Sequence, residues 1–246
     1  YSDSIIAIYG IGSYFEDSLP SGWIKNDIDL LIIVKSLEEI PKQDWTDVRY
    51  EVREIDKHRI WLGFNTIKAY QNRENFRKES FSNYEWSLIE LKHPTNSKLL
   101  FGNDIRDQFP GTNDLRFDYD DVLARGLYHL EKSLSERDLK KSKQEFSKAI
   151  FKTISYLCFF LDSSYRNTNI IDNGIYLKKL IKEVSIFDKI IKYFEEALIF
   201  RITGQYKSEF NVLRMDIVSY LFTMLKKGTL HRQMNYQDLK KYLASS

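Results

Sequence analysis

Four residues near the start of the chain could do chemistry together. Gly12 and Ser13 close the short apolar run Ser4 to Tyr9 and its extension to Ile11. Asp27 and Asp29 stand one residue apart at the mouth of a second apolar run, Ile28 to Val34. Residues i and i+2 of a strand project from the same face, so the two carboxylates share a side while Ile28 and Leu30 point into a core. Two ionised carboxylates this close repel each other, and a bound cation removes that cost. Mg²⁺ suits such a pair, because it takes one or two carboxylates and completes its shell with water and substrate phosphates. A Gly-Ser turn is the matching half. Glycine lets a phosphate approach the backbone closely, the Ser13 hydroxyl and amide can both donate to it, and Tyr14 to Asp17 is expected to start a helix whose free N–H groups attract an anion.

These residues need strands to hold them. Up to about Pro110 the sequence alternates between strand-like and helix-like stretches. Ile28 to Val34 is nearly continuous in apolar residues, as in a strand buried on both faces. Leu37 to Asp56 is polar and compatible with a helix. Arg59 to Tyr70 alternates and predicts a third strand, and Asn72 to Lys92 predicts one helix that stops before Pro94. The expected first domain, residues 1–112, is therefore an α/β (α+β) unit with a mixed sheet.

From residue 113 to 246 the texture is helical. Asp118 to Leu134 predicts one helix. Phe146, Ile150, Ile154, Leu157 and Leu161 mark another; Ile186, Ile190, Ile191, Phe194 and Leu198 a third; Leu213, Ile217, Leu221 and Met224 a fourth. Spacings of three and four give each an apolar stripe, and four such helices predict an all-α bundle. Asp162 to Gly174, rich in turn residues, is expected to be a loop.

Composition narrows the function classes. The net charge is +2, which does not call for a broad nucleic-acid face, and long nucleic acid is not the expected partner. The single cysteine, Cys158, excludes an internal disulfide framework and a Cys-rich zinc site. No apolar run reaches the ~18 residues of a membrane helix, so no membrane partner is expected, and with no signal peptide visible the cytoplasm is the expected compartment.

The order Gly-Ser, residues 14–26, then "DIDL" resembles the signature of the DNA-polymerase-β-like nucleotidyltransferase superfamily. Ile11-Gly12-Ser13 and Asp27-Ile28-Asp29-Leu30 carry the resemblance, with "SKLLFGNDIRD" (Ser97 to Asp107) as a second similar stretch. The layout, a small catalytic domain followed by helices, is similar to that of aminoglycoside nucleotidyltransferases. The resemblance implies metal-dependent transfer of a nucleoside monophosphate from an NTP, with ATP the expected donor, to a hydroxyl of a small molecule or protein; a homodimer is compatible with it. It implies that Gly12 and Ser13 hold the β- and γ-phosphates, that Asp27 and Asp29 bind Mg²⁺ or Mn²⁺, and that basic residues of the helical half, Lys148 and Lys152, approach the triphosphate.

The family pattern also calls for a third carboxylate on the next strand. There the best-placed residue is Asn65, in "FNTI", which can offer a metal a carbonyl oxygen but cannot act as a base. Glu54, Asp56, Asp120 and Asp121 are the alternative carboxylates. Two readings follow: a working transferase, or a nucleotide-binding or regulatory relative, antitoxin-like, that has lost transfer. Among other residues, Arg53 and His58 read as a chance pair. Arg125 and His129, four apart on one helix face, read as solvated or capping. Trp23, Trp45, Trp61 and Trp86 read as packing residues able to stack a ring.

Overall fold

The computed structural model describes residues 4–25, 27–38, 40, 49–55, 58–93, 95–113, 115, 119–181 and 188–217; for residues 119–124 and 188 it describes the backbone alone. The chain divides into two compact units. One holds the sheet and takes Tyr1–Leu19, Lys25–Phe117 and Arg166–Asn169. The other holds the long helices and takes Pro20–Ile24, Asp118–Tyr165 and Ile170–Ser246.

The sheet is mixed and five-stranded, with β1 (Ile5–Ile11), β2 (Asp27–Val34), β3 (Arg49–Ile55), β4 (His58–Thr66) and β5 (Ser97–Gly102) in the order β3-β4-β2-β1-β5. With α1 (Arg73–Glu79) and α2 (Tyr84–Lys92) it makes an α+β unit. β2 is central because its apolar run can be buried on both sides. Leu31 and Ile33 join Ala7, Tyr9, Phe76, Tyr84 and Leu88 in one core layer. Ile32 and Val34 join Phe64 in the opposite layer. Each such side chain removed from water contributes ~1.5–3 kcal/mol. β1 and β2 run antiparallel with Ile11 beside Asp29. β2 and β4 run parallel with Asp27 beside Arg59, Asp29 beside Trp61 and Ile33 beside Asn65.

Four expectations for local structure are corrected. Within Leu37 to Asp56, Arg49–Ile55 is not helical; it is strand β3, antiparallel to β4, while 41–48 and Asp56 lie outside the described residues. Glu and Arg favour a helix intrinsically, but pairing overrides that preference, and a charged edge strand discourages further pairing. The third strand stops at Thr66, followed by a 3₁₀ turn, Ile67–Gln71, in which Thr66 Oγ1 accepts from the Ala69 N–H at 3.3 Å. The single helix Asn72 to Lys92 is two, because Asn72 and Asn83 each cap a helix start, accepting from the N–H of Asn75 and Trp86. The loop expected over Asp162 to Gly174 is shorter: α5 (Ile170–Leu180) begins inside it, directly after an Asn169 N–H to Asn167 Oδ1 bond of 2.8 Å.

The second stretch of family resemblance anchors the exit from β5. The Tyr9 hydroxyl donates to Asp104 Oδ1 at 3.1 Å and accepts from the Ile105 N–H at 2.9 Å. Burial pushes the Tyr9 hydroxyl up to about 12. Hydrogen bonds from Arg106 hold the Asp104 carboxyl down at about 2.

In the helical unit, α4 (Leu139–Leu161) packs against α3 (Tyr119–Ser135), α5 and α6 (Asp188–Thr203). Residues 210–217 are also helical; Leu221 and Met224 lie outside the described residues. Among the described residues no helix is long and apolar enough to cross a membrane.

Candidate functional site

The site is built where β1 ends against the start of β2. Ile11 is the last residue of β1 and stands beside Asp29. At Gly12 the chain turns with φ +73, a left-handed conformation that side chains with a Cβ rarely adopt. The turn closes with the Phe15 N–H donating to Gly12 O at 3.0 Å. The bare Cα matters for a second reason: a Cβ at Gly12 would sit 3.0 Å from Asp29 Oδ2. Gly12 and the Asp29 carboxylate are therefore brought together. Asp27 lies two residues back on the same face, and both aspartates are half-exposed. Ser13 follows in the turn.

The helix expected over Tyr14 to Asp17 does not form. These residues make turns, with the Tyr14 carbonyl accepting from Lys25 Nζ at 2.8 Å and Lys25 lying over the Tyr14 ring at 5.0 Å. No helix dipole is therefore directed at this turn.

Asn65 does not join the pair. In the parallel register it stands beside Ile33, four residues along β4 from Trp61, the neighbour of Asp29. At ~3.3 Å per residue this is ~13 Å along the sheet. Asn65 is 4% exposed and its Nδ2 donates to the Glu79 carbonyl at 3.0 Å, tying β4 to the end of α1. Beside Asp27 and Asp29, on the same face, stand instead Arg59 and Trp61. The Arg59 guanidinium lies 4.5 Å from the centre of the Trp61 ring, and Tyr50 of β3 stacks on the same indole at 5.9 Å and 30°. Glu54 is the β3 neighbour of Arg59, two strands from Asp27. Asp56 and the side chains of Asp120 and Asp121 lie outside the description, and among the described residues no group of three or more His, Cys, Asp or Glu side chains converges. The Arg59–Trp61 pair went unmarked in the sequence as a site, although its i, i+2 spacing repeats that of Asp27 and Asp29 on the next strand but one.

Lys148 and Lys152 belong to the helical unit. Lys148 Nζ is 3.8 Å from Glu145 Oε1, Lys132 Nζ is 3.4 Å from the same oxygen, and His129 Nδ1 is 2.7 Å from Glu145 Oε2. His129 is thus a partnered side chain and not the solvated or capping residue expected from its spacing. Burial opposes ionisation of Glu145, but the His129 hydrogen bond and the lysines outweigh it and hold the carboxyl at about 2. Burial lowers His129, helped by Lys148 and Lys152 against the pull of Glu145. Both depressions have one sign. The folded state takes up protons less readily than the unfolded chain, so acidification favours unfolding. Stability is expected to decline as pH falls below the ordinary histidine value of 6.5, and again from about 4.5 towards 2. Urea midpoints at pH 7, 5 and 3 check this; in Glu145→Gln the drop between pH 5 and 3 should shrink, and an unchanged drop would remove Glu145 from the acid response.

Of the remaining tryptophans, Trp86 is half-buried in α2 and Trp45 lies outside the described residues. Trp23 is buried, stacked on Phe151 at 5.7 Å with Arg201 over its ring at 5.1 Å. Arg53 pairs with Glu51 at 2.8 Å on the surface of the β3–β4 hairpin. Comparison with protein-family models, with curated proteins and with solved structures returns no match.

Proposed function

We propose that this chain binds a divalent metal with a nucleoside triphosphate at the β1–β2 edge of its sheet and transfers a nucleoside monophosphate to an acceptor. One observation carries the reading. The bare Cα of Gly12, in a left-handed turn, lies so close to the Asp29 carboxylate that a Cβ there would stand 3.0 Å from Oδ2. A glycine there lets the backbone of the turn lie against the carboxylate, so that a phosphate on the turn's N–H groups and a metal on the carboxylate would be neighbours. The donor set fits the ion as well: two carboxylates on one strand face, i and i+2, are what Mg²⁺ takes when phosphates complete its shell. Asp27 and Asp29 would hold Mg²⁺, or Mn²⁺ in its place. When bound, the ion supplies charge neutralisation and alignment of the α-phosphate. Gly12 and Ser13 bind the β- and γ-phosphates through backbone N–H groups and the Ser13 hydroxyl. The reading draws on the sheet unit alone.

Titration of ATP, GTP, CTP and UTP with and without Mg²⁺, followed by calorimetry, tests it. At least one triphosphate should bind only with metal, about 100-fold more weakly in Asp27→Ala or Asp29→Ala, equivalent to about 2.8 kcal/mol. No metal-dependent binding of any of the four would sink the proposal.

A second reading has an observation of its own in favour. Arg59 and Trp61 occupy the β4 positions beside the aspartates, and neither can accept a proton from an acceptor hydroxyl. A nucleotide-binding, regulatory relative would tolerate this. Labelled NTP that binds with metal but never yields a labelled product would favour that reading.

A further inference from the structure

We infer that the acceptor is a planar aromatic molecule whose attacking oxygen is already ionised, a carboxylate or a phosphate, and that Arg59 and Trp61 receive it. This rests on the nucleotidyltransferase reading above.

Direction comes from the sheet. Across it at one level run Trp61 of β4, Asp29 of β2 and Ile11 of β1, with Gly12 next in the chain. Neighbouring strands are ~4.8 Å apart. A pyrophosphate held by Gly12 and Ser13 leaves on the β1 side. In-line displacement at phosphorus requires attack from the side opposite the leaving group. The attacking oxygen therefore arrives over β4, above Arg59 and Trp61.

Chemistry then restricts that oxygen. A neutral hydroxyl must lose a proton to attack, and on β4 the two residues beside the aspartates are a guanidinium, which stays protonated, and an indole, which only donates. A carboxylate or phosphate oxygen needs no base. Its lone pair forms the new bond to the α-phosphorus. The bond from that phosphorus to the α,β-bridging oxygen breaks, and pyrophosphate departs with the electron pair. No proton moves and nothing is oxidised or reduced. Arg59 suits such a nucleophile, since its fork binds carboxylate or phosphate in two-point fashion and offsets repulsion from Asp27.

Shape supplies the ring. Arg59 and Tyr50 both lie against Trp61, with the guanidinium 4.5 Å from the indole centre and the indole 5.9 Å from the phenol ring. Phe81, 52% exposed, meets Tyr50 in a T-shaped pair at 5.7 Å. Arg59 itself is exposed, and a guanidinium lying on an indole offers its outer plane to a further ring. A flexible aliphatic alcohol gains from none of this.

Three ligands sharing one ring test the proposal on the full chain: 2-naphthoate, 2-naphthyl phosphate and the neutral 2-naphthylmethanol. Each is titrated by calorimetry with Mg²⁺ and a non-hydrolysable ATP analogue present. Both anions should bind about 10-fold more tightly than the alcohol, a factor that Arg59→Gln removes and Arg59→Lys partly keeps. Trp61→Leu should weaken all three. With ATP labelled at the α-phosphate, 2-naphthyl phosphate should yield a stable labelled diphosphate. 2-Naphthoate with hydroxylamine should yield the hydroxamate and labelled AMP; which of the two reacts identifies the source of the anion. Equal affinity for the alcohol, label on the alcohol alone, or no binding of any of the three overturns the proposal. So does tighter binding of metal–ATP in Arg59→Gln, which would make Arg59 an internal counter-ion of Asp27. Metal-dependent ATP binding without any acceptor separates the two levels. If it is absent, the nucleotidyltransferase reading fails and the acceptor proposal falls with it; if it is present while the ligands fail, only the acceptor proposal is lost.

Discussion

Gly102→Ala is expected to lower the stability of the sheet unit by about 2–5 kcal/mol, the sum of left-handed strain and overpacking. Gly102 ends β5 with φ +80, where an alanine costs ~1–2 kcal/mol. A Cβ there would stand 2.1 Å from the Ile6 carbonyl oxygen and 3.1 Å from the Ala7 Cα. Those atoms are backbone of β1, which is paired on both sides, to β2 and to β5, and cannot retreat without breaking a ladder. Set against a total of ~5–15 kcal/mol for a typical domain, this is a large fraction. Urea unfolding followed by circular dichroism measures it. Gly102→Asn separates the two causes, because asparagine tolerates the left-handed region but keeps the Cβ. It should be almost as harmful as alanine. A neutral asparagine would show that the overlap is relieved locally, and an alanine variant within ~0.5 kcal/mol of the parent, the range of an ordinary surface change, would refute the prediction.

A functional effect as large as that of losing either aspartate is expected at Gly12, the left-handed glycine that follows β1. Gly12→Ala should weaken metal-dependent triphosphate binding about 100-fold, or about 2.8 kcal/mol, while reducing stability by only ~1–2 kcal/mol. The difference from Gly102 lies in what the new methyl meets. At Gly12 it is the end of the Asp29 side chain at 3.0 Å, which can swing, and not a fixed backbone. The fold therefore tolerates the change, but the carboxylate is pushed from its place beside the turn. Calorimetry and urea unfolding on the same variant read the two quantities. Retention of affinity within about 3-fold, under 1 kcal/mol, would remove Gly12 from the phosphate cradle, whatever happened to stability.

Much of this arrangement is legible in the chain. The run Leu30 to Val34 announces a central strand, and alternation alone puts Asp27 and Asp29 on one face. Gly12-Ser13 marks the end of β1. The apolar stripes of Phe146 to Leu161 and Ile190 to Leu198 correspond to α4 and α6. The errors have local causes. Arg49 to Ile55 is as polar as a surface helix, and only its partner β4 makes it a strand. The break between α1 and α2 hangs on one capping asparagine, Asn83, in a stretch otherwise suited to a helix. The start of α5 follows a side-chain turn at Asn167 that composition alone reads as more loop.

Asn65 shows where reading along the chain stops. Periodicity of two determined that Asp27 and Asp29 share one face of their strand and Gly63 and Asn65 one face of theirs, because successive side chains alternate across any strand. It could not determine how the two strands stand against each other. A strand slid by two residues against its neighbour presents the same faces, so the local pattern is indifferent to such shifts. The parallel ladder between β2 and β4, built from residues some 30 positions apart, decided that Arg59 and Trp61 stand beside the aspartates and that Asn65 is four residues away, bonded to Glu79. What kinds of groups the site contains was written in the residues. Which of them meet was decided by hydrogen bonds between strands and by the packing that selects one register.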